Sequence, residues 1–156
     1  MMCDAVEEWG LIRLVNHGIS TEWLNMKEIE KTKHSMLMGT KRVHLNYYPK
    51  YLQLELAIGI GRHSDSSTVT ILHLIGGFWG RKSESDPWIH VALINGALVI
   101  NVGDALEIMS NGRYKNFEYF VTVSKSHNRI SVLFFTSPTP CAIIRPFEEV
   151  LESTGE

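Results

Sequence analysis

The chain has 156 residues, 44% of them apolar and 21% charged, with a formal net charge of −2. This is enough for one domain with a real core and the composition of an ordinary globular protein. It offers no basic field for nucleic acid, and no apolar run approaches the length needed to span a membrane.

The first residues carry Asp4, Glu7 and Glu8 without a leading basic cluster, which argues against a secretory signal. Cys3 and Cys141 stand near opposite ends, and nothing else suggests a disulfide scaffold. Both are read as reduced thiols of a cytoplasmic protein.

In chain order, residues 11–15 read as a short apolar strand stopped by Asn16-His17-Gly18. Ser20 or Thr21 caps a short helix, with Trp23, Met26 and Ile29 as its weak apolar stripe. From Lys41 onward, short β-rich runs alternate with Gly, Pro, Asn, Asp and Ser. Strands are predicted at 43–48, 56–62, 69–73, 88–91, 97–102, 119–123 and 129–135. Such a series predicts a mainly β fold: a sandwich, jelly roll or barrel. Gly76-Gly77, Asn95-Gly96 and Asn111-Gly112 suit turns that need positive φ. Pro138 and Pro140 end the last strand, and the acidic tail 147–156 is expected to fray.

Side chains at i and i+2 of a strand share a face. Three polar pairs of this kind interrupt the apolar runs: Asn46 with Tyr48, His63 with Asp65, and Arg129 with Ser131. Facing inward, such pairs are costly without partners, and a metal with a bound dicarboxylate satisfies all three. His-x-Asp supplies an imidazole and a carboxylate, and a further histidine completes the facial triad of non-haem Fe(II). Arg129 offers a planar fork to a carboxylate, and Ser131 and Tyr48 offer hydroxyls. Each pair alone also has a plain structural reading: a surface turn for His-x-Asp, a structural ion pair for Arg-x-Ser, aromatic packing for Asn46 to Tyr48. His17, His34, His44, His73, His90 and His127 show no ligand spacing and read as surface or core-edge residues.

Order and spacing together carry more weight than any one pair. The chain resembles the plant 2-oxoglutarate and Fe(II)-dependent dioxygenases in five stretches. These are Asn46-Tyr47-Tyr48-Pro49-Lys50, Gly61-Arg62-His63-Ser64-Asp65, the run from Gly96 to Asp104, the run from Met109 to Lys115, and Arg129-Ile130-Ser131. Glu8-Trp9-Gly10 and Val15-Asn16-His17-Gly18 look like the opening of the same family. Within it, Gly61 to Asp65 and Leu45 to Tyr48 look most like the feruloyl-CoA ortho-hydroxylases of coumarin synthesis.

The resemblance implies a double-stranded β-helix (a cupin-like jelly roll) with a short α/β N-terminal segment. It divides the chain into a remnant of the N-terminal region (1–40), an oxygenase core (41–146) and an acidic tail (147–156). It implies Fe(II) on His63 and Asp65, and 2-oxoglutarate on Asn46, Tyr48, Arg129 and Ser131. Ascorbate is an accessory reductant in this reading. The family decarboxylates 2-oxoglutarate to succinate and uses O2 to hydroxylate or desaturate a small aromatic or terpenoid substrate.

Tyr119 stands where the family places its second iron-binding histidine, ten residues before Arg129. As tyrosinate it is a third ligand that favours Fe(III); as neutral tyrosine it leaves a two-ligand site. His127 is the nearest histidine in sequence and falls in the turn before Arg129. The helical region that the family places before its core, and the segment after it, are expected to be missing. The barrel's outer surface is then expected to be exposed and to promote self-association, with Phe78, Trp79, Phe134 and Phe135 contributing. Three functions follow: an active dioxygenase, a silent relative that retains cosubstrate or metal binding or acts through protein partners, and an unrelated β-barrel binding domain.

Overall fold

The computed structural model describes residues 8–15, 36–74, 76–92, 94 and 96–154. Among them the strands are β1 (Leu11–Leu14), β2 (Thr40–Tyr48), β3 (Ile60–His63), β4 (Val69–Leu74) and β5 (Phe78–Arg81). They continue with β6 (Ile89–His90), β7 (Leu98–Val102), β8 (Glu118–Val121) and β9 (Arg129–Ser137). Two short helices follow β7 and β9: α1 (Asp104–Met109) and α2 (Glu148–Thr154).

The strands form two antiparallel sheets. The larger has the order β1-β7-β4-β9-β2 and the smaller β3-β8-β5-β6. They face each other, with Leu72, Val99 and Leu133 of the larger sheet packed with Phe78, Tyr119 and Val121 of the smaller. This is the jelly roll expected from the sequence, and period-2 alternation explains it. Along β9, Arg129, Ser131 and Leu133 are buried and Ile130 is exposed. Along β8, Tyr119 and Val121 are buried, and Glu118 and Phe120 are less so.

One glycine in the smaller sheet is required by packing. Gly80 of β5 lies opposite Tyr119, and a Cβ there would come within 1.9 Å of the ring of the fully buried Phe117. The turn glycines behave as expected: Gly76, Gly77, Gly96 and Gly112 all have positive φ, as does Asn111.

Several expectations need correction. β5 was not anticipated, because Gly76-Gly77 and Gly80 punctuate its sequence; its Phe78 is 1% exposed and belongs to the core. Trp79, Phe134 and Phe135 are only half-buried, so none of the four is the exposed surface. That surface exists elsewhere: Val43, Leu45, Tyr47 and Ile130 are exposed on the outer side of β2 and β9. The strand predicted at 56–62 starts only at Ile60, after a single 3-10 turn at Leu54–Leu56. The alternation Leu52, Leu54, Leu56, Ile58 imitates a half-buried strand, yet all four are exposed. The run 88–91 contributes only Ile89–His90 to the ladder. The tail does not fray immediately but forms α2, with Glu148 and Glu149 at its positive end. Cys141 is a free, exposed thiol. Cys3, the helix expected after Ser20 or Thr21, His17, His34 and Asn95 lie outside the described residues. No helix among the described residues is long and apolar enough to cross a membrane.

Candidate active site

His63 ends β3, and the chain then turns through Ser64 to Ser67 before entering β4. The turn is held from behind by the start of α1. Asp104 N–H donates to Asp65 O at 2.8 Å, and Ala105 N–H to Ser67 O at 3.2 Å. Gly103 permits this approach, since a Cβ there would meet Ser67 O at 2.1 Å. The loop carbonyls thus satisfy N–H groups that a helix start leaves orphaned.

This support aims Asp65 into the barrel, where it is buried. Its Oδ2 accepts from Thr70 Oγ1 at 2.6 Å and from Asn101 Nδ2 at 3.0 Å. Its Oδ1 accepts from the Tyr119 hydroxyl at 2.9 Å and lies 3.8 Å from His63 Nε2. Nδ1 of His63 lies 2.8 Å from Gly61 O. A carbonyl only accepts, so Nδ1 carries the proton and a neutral ring bears its lone pair on Nε2, the atom nearest Asp65.

Tyr119 sits directly across the ladder from His63, with ring centroids 4.3 Å apart. Burial, then the adjacent Asp65 charge and the hydrogen bond to it, push the Tyr119 phenol well above its usual range. The residue is therefore a neutral hydrogen-bond donor to Asp65 rather than a phenolate.

The second polar group lies on β2 and β9. Antiparallel register sets Asn46 opposite Ser131 and Tyr48 opposite Arg129. Tyr48, Arg129 and Ser131 are buried, and Asn46 Nδ2 donates to the Tyr48 hydroxyl at 3.2 Å. The Arg129 guanidinium lies 5.1 Å from the Tyr48 ring centroid and donates to the carbonyls of Thr122 and Gly76. Gly77 allows this seat: its φ is +68°, and a Cβ would lie 2.7 Å from Arg129 Nη1. Burial pushes the Arg129 guanidinium down from its usual range, and Tyr48 opposes the shift. Tyr48 and Tyr119 belong to one buried cluster, so the two polar groups adjoin.

The structure thus gathers all seven expected site residues on inward faces or at the ends of inward strands. It adds Thr70 and Asn101, which are almost wholly buried and hold Asp65. Asn101 is the lone polar residue of β7, and Thr70 stands between Val69 and Ile71 of β4. A cleft of about 230 Å³ opens over His63 and Asp65, bordered by Arg42, His44, Phe135 and Ser137. His127 is exposed and bonded to Ser124 and Ser126, so it takes no part. His44, His73 and His90 are exposed as well.

Tested against a divalent ion, the donors fit two corners of a facial triad: His63 Nε2 and Asp65 Oδ1. The third corner holds the Tyr119 phenol. Among the described residues, no group of three or more His, Cys, Asp or Glu could hold a metal ion. Iron held here would have His63 and Asp65 as its protein donors and would supply O2 activation.

A jelly roll with His-x-Asp at the end of one strand and Arg-x-Ser at the start of the last defines an oxygenase-type barrel. The chain belongs to the 2OG-Fe(II) oxygenase superfamily, whose model matches residues 39–138. It is 54% identical over 153 residues to feruloyl CoA ortho-hydroxylase F6H1-2 of Ipomoea batatas, covering 97% of this chain and 41% of that protein. It is 52% identical over 134 residues to feruloyl CoA ortho-hydroxylase 2 of Arabidopsis thaliana, covering 85% and 37%. The chain spans about two-fifths of the length of the curated relatives it matches.

Solved structures share the fold. Dioxygenase for auxin oxidation 1 from Arabidopsis thaliana, in its complex with 2-oxoglutarate, superposes with a TM-score of 0.76 at 16% identity, covering 96% of this chain and 91% of that one. JOX2 in complex with 2OG, Fe and JA gives 0.73 at 20% identity, covering 96% and 73%.

Proposed function

We propose that the chain carries the core, residues 41–146, of an Fe(II)/2-oxoglutarate-dependent dioxygenase that hydroxylates a hydroxycinnamoyl-CoA thioester. The observation that carries this reading is the pairing of His63 Nε2 with Asp65 Oδ1 at 3.8 Å inside a jelly roll. The substrate class follows from the names of the relatives, which are 54% to 48% identical. Iron, when bound, supplies O2 activation coupled to decarboxylation of 2-oxoglutarate.

The chain's own residues do the placing. His63 presents Nε2 because Gly61 O holds its other ring nitrogen. Asp65 presents Oδ1 because Thr70 and Asn101 hold Oδ2. Arg129 supplies the charge for the distal carboxylate of 2-oxoglutarate once its fork turns from the backbone carbonyls, and Ser131, Tyr48 and Asn46 supply hydrogen bonds. Tyr48, Asp65, Arg129 and Ser131 are buried, while His63 faces the open cleft. Ascorbate serves as an accessory reductant, and the protein works in the cytoplasm. The exposed outer faces of β2 and β9 favour self-association.

One observation favours a second reading. Tyr119 donates to Asp65 where a third imidazole would complete the triad, which suits a copy that binds cosubstrate or metal but turns over poorly. Anaerobic titration with Fe(II) and 2-oxoglutarate, followed by the visible spectrum, tests both readings. A charge-transfer band is the expected result for the dioxygenase. Absence of both the band and retained iron would overturn it and direct the search to protein partners.

A further inference from the structure

We infer that Tyr119 is an internal competitor for the metal: its O–H draws on the Asp65 oxygen that faces His63, so a cation must displace the phenol from that oxygen or share it at a cost in affinity. This deepens the reading of His63 and Asp65 as the metal-binding pair and rests on it.

The two oxygens of Asp65 are used in different ways. Oδ2 is tied by Thr70 of β4 and Asn101 of β7, both on the larger sheet and away from His63's strand. Oδ1 lies 3.8 Å from His63 Nε2, and Tyr119 donates to it at 2.9 Å. Tyr119 reaches Oδ1 from β8, the strand that also pairs with His63, and its ring lies against the imidazole. A cation bridging Nε2 and Oδ1 must enter the space beside that hydroxyl.

The O–H also meets the electrostatic need of the carboxylate. A buried carboxylate without donors is costly, and three donors satisfy this one in the metal-free chain. The hydroxyl therefore stabilises the empty site and opposes its filling. A bound metal ligand and a competing donor predict opposite signs when the oxygen is removed.

The test is calorimetric titration with Zn(II) alone of the unmutated chain, Tyr119→Phe, Tyr119→His and Thr70→Val, with thermal unfolding of each metal-free protein. Tyr119→Phe is expected to bind Zn(II) roughly tenfold more tightly, the scale of one hydrogen bond to a charged group. Its metal-free Tm is expected to fall by about 5 °C. Weaker binding by Tyr119→Phe would make the phenol a ligand, and unchanged binding would make it a bystander; either overturns the inference. Thr70→Val also loses a bond to Asp65, but at Oδ2, and is expected to lower Tm without tightening Zn(II). Equal tightening by both variants would overturn the inference in favour of general loosening.

If Tyr119→Phe does not fold, the near-ultraviolet tyrosine band of the unmutated chain is followed during the same titration. A perturbation that saturates with Zn(II) is expected, and an unmoved band at saturation would overturn the competitor role. If even Tyr119→His binds no Zn(II), the metal-pair reading itself falls. Binding by Tyr119→His without a gain in Tyr119→Phe removes the competitor role alone.

Discussion

The two faces of the β2–β9 ladder are opposite in character. The inner face carries Asn46, Tyr48, Arg129 and Ser131, and all but the half-buried Asn46 are buried. The outer face carries Val43, Leu45, Tyr47 and Ile130, with Leu45 74% and Ile130 52% exposed. The usual order of polar outside and apolar inside is inverted at this end of the ladder, before Leu133 returns the inner face to the apolar core. A buried arginine is tolerable because Gly76 O, Thr122 O and the Tyr48 ring meet it, whereas no partner is needed for an exposed leucine to persist. The difference teaches that burial here follows the pairing of polar groups, since the buried Tyr48 and Arg129 have partners inside while the apolar side chains of the other face stand in solvent. A one-residue slip of β2 would exchange the two faces, so register and site are specified together.

The largest expected effect comes from the facing sheet, where Tyr119 of β8 stands beside His63. Tyr119→His supplies a third imidazole beside His63 and Asp65 and is expected to raise Fe(II) affinity by roughly a hundredfold or more. Anaerobic calorimetry measures this, and succinate formation without substrate should appear. If affinity rises without succinate, iron occupancy alone does not limit turnover.

Breaking the inner face of the β2–β9 ladder is the next largest. Arg129→Ala removes the charge expected to meet 2-oxoglutarate and should weaken its binding about a hundredfold. Isothermal titration checks this, with circular dichroism to confirm that the fold persists. Undiminished binding would mean that 2-oxoglutarate uses another cation.

Gly80→Ala tests packing rather than chemistry. Its new Cβ would be driven into the Phe117 ring, and a loss of about 3 kcal/mol is expected in urea unfolding. A loss near zero would show that Phe117 can move aside.

The smallest effect on stability is expected on the outer face. Leu45→Ser should change unfolding free energy by no more than about 0.5 kcal/mol. Light scattering should nevertheless show less self-association than in the unmutated chain. A compact monodisperse monomer in both would remove the outer face as an association surface.

Much of this was legible in the residues. Three i, i+2 polar pairs in apolar strands marked the inner face, and Gly76-Gly77 and Asn111-Gly112 marked positive-φ turns. β5 was not legible, because glycines at 76, 77 and 80 look like loop until Phe117 is seen lying on Gly80. Thr70 and Asn101 were equally marked by polarity among Val69, Ile71, Ile100 and Val102. Their role was hidden, because nothing local says that both point at the same carboxylate.

By itself the sequence determined a mainly β fold (a sandwich, jelly roll or barrel), the alternation of faces and the residue types available for a metal and dicarboxylate site. Those are consequences of local periodicity and side-chain chemistry, which act over a few residues. Only the tertiary structure decided which atoms meet. Tyr119 and Asp65 are 54 residues apart in the chain, and Asn101 and Asp65 are 36 apart. Their hydrogen bonds depend on how β3, β4, β7 and β8 pair across two sheets, and no local pattern encodes that distance. Whether Tyr119 stands beside the site as a bystander, a ligand or a donor is therefore a property of the fold, and the fold makes it a donor to Asp65.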